Sequence, residues 1–191
     1  MSTATLPQAN TKGRNIPISR EGEGEHPCQY LTFSLGGESF AIPIEHVREI
    51  IEFDGITTIP MMPPFLRGVI NLRGSVVPVV DLQARFGRGE TAIAKRTCVV
   101  IVEVMVEETP HLLGALVDAV SEVLTLDRGR LESKPSFGSG LRADFVDGIL
   151  NLDDRFIVTL DINKVLSVEE MAALVGAAAT ARPDEPAIGN S

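Results

Sequence analysis

From Tyr30 to Leu35 the side chains alternate, with Tyr30, Thr32 and Ser34 on one face and Leu31, Phe33 and Leu35 on the other. A period of two marks a half-buried strand, and the Gly36-Gly37 pair that follows supplies the positive backbone angles of a tight hairpin. Phe40, Ile42 and Ile44 resume the alternation on the return. Further β-branched runs lie at 56–59, 69–72, 76–80, 98–106, 112–117, 120–126, 149–152 and 156–160, separated by Gly, Pro, Asp or Asn. Many short strands with turn chemistry between them predict an all-β barrel or sandwich. Asp81 and Asp161 each close a strand before a short helical segment, the place of a helix N-cap, and Asp153-Asp154 reads as a hairpin turn. A C-terminal helix is expected over 167–179. Ser167 caps it, Glu169 and Glu170 meet the positive end of its dipole, and Met171, Leu174 and Val175 form an apolar stripe. Residues 1–27 and 180–191 are polar and aperiodic, which predicts disordered tails around a folded unit at 28–166.

The strand pattern repeats. Residues 65–86, FLRGVINLRGSVVPVVDLQARF, align without a gap to 145–166, FVDGILNLDDRFIVTLDINKVL, with Phe65/Phe145, Gly68/Gly148, Asn71/Asn151, Leu72/Leu152 and Asp81/Asp161 identical. Upstream, FAIPIEHVREII at 40–51 aligns with LGALVDAVSEVL at 113–124, with Val47/Val120 and Glu49/Glu122 identical. Two blocks in the same order predict a duplicated β unit. The expected architecture is two similar small barrels, at about 30–90 and 95–166, packed side by side with short helices. A barrel of about 60 residues is marginal alone, so their contact is expected to be apolar and obligatory.

Composition narrows the function more than it names it. Seventeen basic residues against 26 acidic give a net charge of −9, which argues against nucleic acid or an anionic membrane as the partner. The opening MSTATLPQAN has no apolar segment of an export signal, so a cytoplasmic location is expected, with Cys28 and Cys98 as free thiols. His26, His46 and His111 are scattered, without metal-ligand or triad spacing. GSGLRA at 138–143 mimics a dinucleotide loop, but no βαβ unit surrounds it. Ser139 lacks a nucleophile elbow. No enzyme and no cofactor are expected. The informative feature is where the copies differ. Asn71-Leu72-Arg73-Gly74 in the first becomes Asn151-Leu152-Asp153-Asp154 in the second, so Asn-Leu reads as structural and Arg73-Gly74 as the functional candidate. Glu49, set between Val47 and Ile50, adds a carboxylate among apolar residues, the make-up of a protein-binding groove with a polar edge.

Four phrases in order, YLTFSLGGESFAIPIEHVREI, RGVINLRGSVVPVVDL, VDAVSEVLTL and VDGILNLDDRFIVTLDINKVL, resemble the CheW-like coupling proteins of bacterial chemotaxis, from about Tyr30 to Met171. The resemblance implies two intertwined, five-stranded, SH3-like barrels. It implies a non-enzymatic adaptor between the cytoplasmic tip of a methyl-accepting chemoreceptor and the regulatory domain of a histidine kinase. The chain itself is expected to be a monomer in isolation, recruited to receptor arrays without membrane insertion. Carried over by position, the receptor groove comprises Val47, Glu49, Ile50, Arg73, Gly74, Val99 and Val123. The kinase face comprises Phe53, Ile56 and Ile59, and Phe137 matches a position that helps close rings of adaptor and kinase domains. A chemosensory pathway driving pili or development is the alternative within the class, and a small-ligand-binding barrel the alternative outside it.

Overall fold

The computed structural model describes residues 27–134 and 141–172. Strands β1 (Cys28–Leu35) and β2 (Glu38–Pro43) form the expected hairpin, with Gly36 and Gly37 at φ 57° and 83°. A 3-10 turn at Ile44–His46, where alternation was expected to continue, leads into β3 (Val47–Glu52). The next hairpin joins β4 (Leu66–Leu72) to β5 (Ser75–Asp81), followed by helix α1 (Leu82–Arg85). Then come β6 (Cys98–Val106), β7 (Thr109–Val117), β8 (Ala119–Leu126) and a two-residue β9 (Leu131–Glu132). The hairpin of β10 (Val146–Leu152) and β11 (Arg155–Leu160) precedes α2 (Ile162–Val165). The expected strand at 56–59 does not form. Gly55 at φ 106° and Pro60, Pro63 and Pro64 break the ladder there and leave one bridge, Thr57 to Val69.

Both aspartates are caps. The Asp161 carboxylate accepts the Lys164 amide, and Asp81 accepts those of Gln83 and Ala84. Asp81 does more than its counterpart. Fully buried, it also accepts the Thr91 amide and hydroxyl, both at 2.7 Å, and lies 3.3 Å from Arg67 Nη1, so it pins the crossover between α1 and β6. The chain is helical again at 168–172, and Ser167 Oγ accepts the Glu170 amide at 3.3 Å as the expected cap. Leu174 and Val175 of the expected stripe lie outside the described residues, as do both tails.

The strands form two sheets, β8-β1-β2-β11-β10-β9 and β3-β6-β7-β5-β4. The contiguous halves 30–90 and 95–166 are therefore not the barrels. By the repeat, β1 to β5 correspond to β6, β7, β8, β10 and β11. The second sheet order maps onto the first, β9 excepted, so each barrel takes two strands from one copy and three from the other. The exchange occurs after β2 and after β7, where β3 pairs with β6 of the other copy and β8 with β1. The mutual contact is thus built into the ladder hydrogen bonds as well as into apolar packing.

Three cores follow from strand alternation. The main one lies between the sheets and includes Leu31, Phe33, Phe40 and Phe145 from one side and Val80, Val100, Val102 and Leu113 from the other. Val77, Val79, Val99, Ile101 and Leu116 fill the five-stranded barrel, and Tyr30, Ala41, Leu150 and Ile157 the other. The expected apolar contact between barrels is the largest of the three.

Candidate protein-docking site

The tip between β4 and β5 is a two-residue turn with φ 50° at Arg73 and 86° at Gly74, both in the left-handed region that matches strand twist. Asn71 Oδ1 accepts the Gly74 amide at 2.8 Å, which fixes the turn. In the second copy Asp153 and Asp154 adopt φ 46° and 64°, so the tip shape survives without Arg or Gly. Asn71 therefore has the structural role read from the repeat, shaping the turn, and Arg73 faces outward from it.

What Arg73 meets is Glu49. Its Nη1 and Nη2 donate to Oε1 and Oε2 at 3.0 and 2.9 Å, a bidentate fork. Glu49 stands on β3 next to a β-bulge after Val47, opposite Ile101. Strands β3 and β4 are the two edges of the five-stranded sheet. The Arg73–Glu49 pair and the Thr57–Val69 bridge, with reciprocal amide bonds of 2.9 Å, close that sheet on itself. In the second copy the counterparts of the pair are Asp153 and Glu122, two acids, and Glu122 has Arg155 at 3.9 Å. The Arg73 side chain is 78% exposed and that of Glu49 26%, so the pair contributes only about 0.2–1 kcal/mol to folding. Both charged groups keep some exposure to solvent.

The apolar candidates divide between two faces. Val47 pairs with Val102 and Ile50 with Val100, which puts both on the side facing the other sheet, and Ile50 is 43% exposed. Val123, the repeat counterpart of Ile50, pairs with Leu31 and is 47% exposed on the equivalent side of the other sheet. Val99 is not with them. It is buried inside the five-stranded barrel, beneath a cleft of about 520 Å³ that Ile51, Phe53, Ile56, Val69 and Ile70 also line, with exposed Glu52 and Asp54 among its walls. Phe53 and Ile56 thus share one cleft, Ile59 is half-buried outside its lining, and Phe137 lies outside the described residues. Two residues escaped the sequence reading. Val76 and Phe156 are repeat counterparts beside the two tips, 72% and 64% exposed. Their signal was an apolar residue kept in both copies next to a turn, where a strand end offers little to bury it. No helix among the described residues is long and apolar enough to cross a membrane.

Duplication, exchanged strands and a copy-specific ion pair at a barrel seam define a strand-exchanged double β-barrel domain. The chain belongs to the CheW-like domain family, whose model matches residues 29–170. It is 35% identical over 144 residues, 75% of this chain and 84% of the relative, to a chemotaxis protein CheW of Klebsiella aerogenes. It is 34% identical over 145 residues, 76% and 91% of the two chains, to a probable chemotaxis protein CheW of Rhizobium etli. The crystal structure of a scaffolding protein, TtCheW of Thermoanaerobacter tengcongensis, superposes with a TM-score of 0.67 at 34% identity, covering 77% of this chain and 92% of that one.

Proposed function

We propose that the protein is a non-catalytic chemotaxis scaffold that bridges the cytoplasmic tip of a methyl-accepting chemoreceptor and the regulatory domain of a histidine kinase. The names of its relatives, chemotaxis proteins and a scaffolding protein, support the role. The observation that carries the residue assignment is the Arg73–Glu49 fork, present in one copy and replaced by two acids in the other. The receptor helices lay an apolar stripe against Val47, Ile50 and Val123, and the Arg73-Gly74 tip and Glu49 supply the polar edge, with Val99 supporting the barrel wall beneath. Phe53, Ile56 and Ile59 form the kinase face around the cleft, and Phe137 serves ring closure. No bond is made or broken. The protein works in the cytoplasm as a monomer held at membrane-associated arrays by its partners.

Arg73→Asp tests the assignment. The second copy carries Asp153 at the same tip with the same positive φ, so the turn accommodates the reversed charge, and stability is expected to fall by no more than about 1 kcal/mol. At the receptor, charge reversal replaces attraction by repulsion in a partly desolvated contact, and affinity is expected to fall at least ~30-fold. Kinase affinity is expected to change less than ~2-fold, as for a residue outside the contact. Titrating the folded variant against receptor and kinase fragments separately checks this; equal losses for both partners would overturn the assignment.

A further inference from the structure

Arg85, the last residue of α1, keeps only 5% of its side chain exposed. Its Nε donates to the Val165 carbonyl at 2.9 Å. Its guanidinium carbon lies 5.3 Å from the ring centroid of Phe65 and 4.8 Å from that of Phe145. Phe65 and Phe145 are the same position in the two copies, and Val165 is the counterpart of Arg85 itself. The cation therefore sits where the two halves of the duplication meet, between equivalent rings, and the second copy has valine in its place.

A guanidinium this deep needs a compensating charge. Glu170 brings it, with Oε2 3.1 Å from Arg85 Nη2. The contact is ionic without being an aligned hydrogen bond, because Nη2 has no directed acceptor among the described residues. The other Glu170 oxygen pairs with Arg142, whose guanidinium carbon lies 4.5 Å from the Phe145 ring centroid and whose Nη2 is 2.7 Å from Asp144. Next to Glu170, Met171 is buried in the main core together with Phe65 and Phe145. The helical segment at 168–172 thus carries both a plug and a counter-ion for the joint between the barrels.

We propose that the segment at 168–172 is a strap whose Glu170 carboxylate neutralises Arg85, so that seating the helix fixes the packing of the two barrels against each other. Drawing the helix off its seat leaves a buried cation between two rings with no anion, and the joint loosens in both copies at once.

Hydrogen exchange by mass spectrometry tests the strap on the full chain, comparing wild type, Glu170→Ala, Arg85→Met and the double variant. Glu170→Ala is expected to speed exchange at least ~10-fold in the segments around Phe65 and Phe145 together, as for release of a cooperative unit. In the double variant no cation remains to be neutralised, so protection there is expected to return to within ~2-fold of Arg85→Met alone, the coupling expected of paired groups. Acceleration confined to 167–172, or effects of the two substitutions that simply add, would overturn the proposal. Glu170→Gln, which keeps the shape and removes the charge, gives the same reading if the alanine variant does not fold.

Discussion

A methyl group on Gly68 would land 2.2 Å from the Thr57 carbonyl oxygen and 2.5 Å from Ile56 Cγ2, at a φ of 146° that side chains rarely adopt. A methyl group on its counterpart Gly148 would land 2.6 Å from Leu131 Cγ and 2.8 Å from the Glu132 carbonyl oxygen. Both glycines stand where the segment after an edge strand returns to close a barrel, which is why the repeat keeps them. Gly68→Ala is expected to cost about 2–4 kcal/mol in urea unfolding, through combined clash and backbone strain; a cost below about 0.5 kcal/mol would mean that the seam yields without resistance. Identity between the copies made these glycines visible in the sequence. Arg73 and Glu49 were visible singly, as the residue the copies do not share and as a carboxylate among hydrophobes. Their union was not, since β3 and β4 are opposite edges of one sheet and meet only after the barrel closes. Val99, carried into the receptor groove by the family resemblance, is turned inward by the alternation of β6, where Val100 and Val102 face the other sheet.

Among the elements, legibility followed regularity. Strict alternation located β1 and β2, and continuous β-branched runs located β6 to β8. Strand β3 was hidden because its bulge after Val47 interrupts the period of two, and β9 because two residues carry no pattern. The C-terminal helix could be placed by its Ser167 cap, while its electrostatic seat could not, because Arg85 is some eighty residues away in the chain. That seat has a pH signature. Partial burial pushes the Glu170 carboxyl up, but the Arg85 and Arg142 guanidiniums outweigh it and hold the group below the usual glutamate range. A hydrogen bond from Arg142, aided by Lys164, likewise holds Asp144 down. A carboxyl with a depressed folded value contributes its full stability above the unfolded value of about 4, and loses it as pH falls through the folded one. The difference in melting temperature between wild type and Glu170→Gln is therefore expected to be constant from neutral pH to about pH 5 and to shrink below about pH 4. A difference that stays unchanged down to pH 2 would show that the Glu170 charge is not what seats the helix.

In the whole molecule the repeat revealed two equivalent units but not that they exchange strands. Each half contains enough strand signals to make up a barrel of its own, and nothing local tells β3 to pair with β6 instead of β1. Only the resemblance to CheW-like proteins implied intertwining. The exchange has a functional consequence. Because each barrel contains strands of both copies, the receptor and kinase surfaces proposed here sit on one interlocked body, in which β5, the strand after the Arg73 tip, pairs with β7 of the other copy. Two partners held on separate faces of one interlocked unit is what a bridging scaffold requires, and the test is whether both can be held at once. Sedimentation velocity with purified receptor fragment, kinase regulatory domain and this protein measures it directly. The protein alone is expected to sediment as a monomer, to form a complex with each partner, and to give one faster species when all three are mixed. Binary complexes that compete, with receptor fragment displacing the kinase domain instead of joining it, would rule out the bridging role.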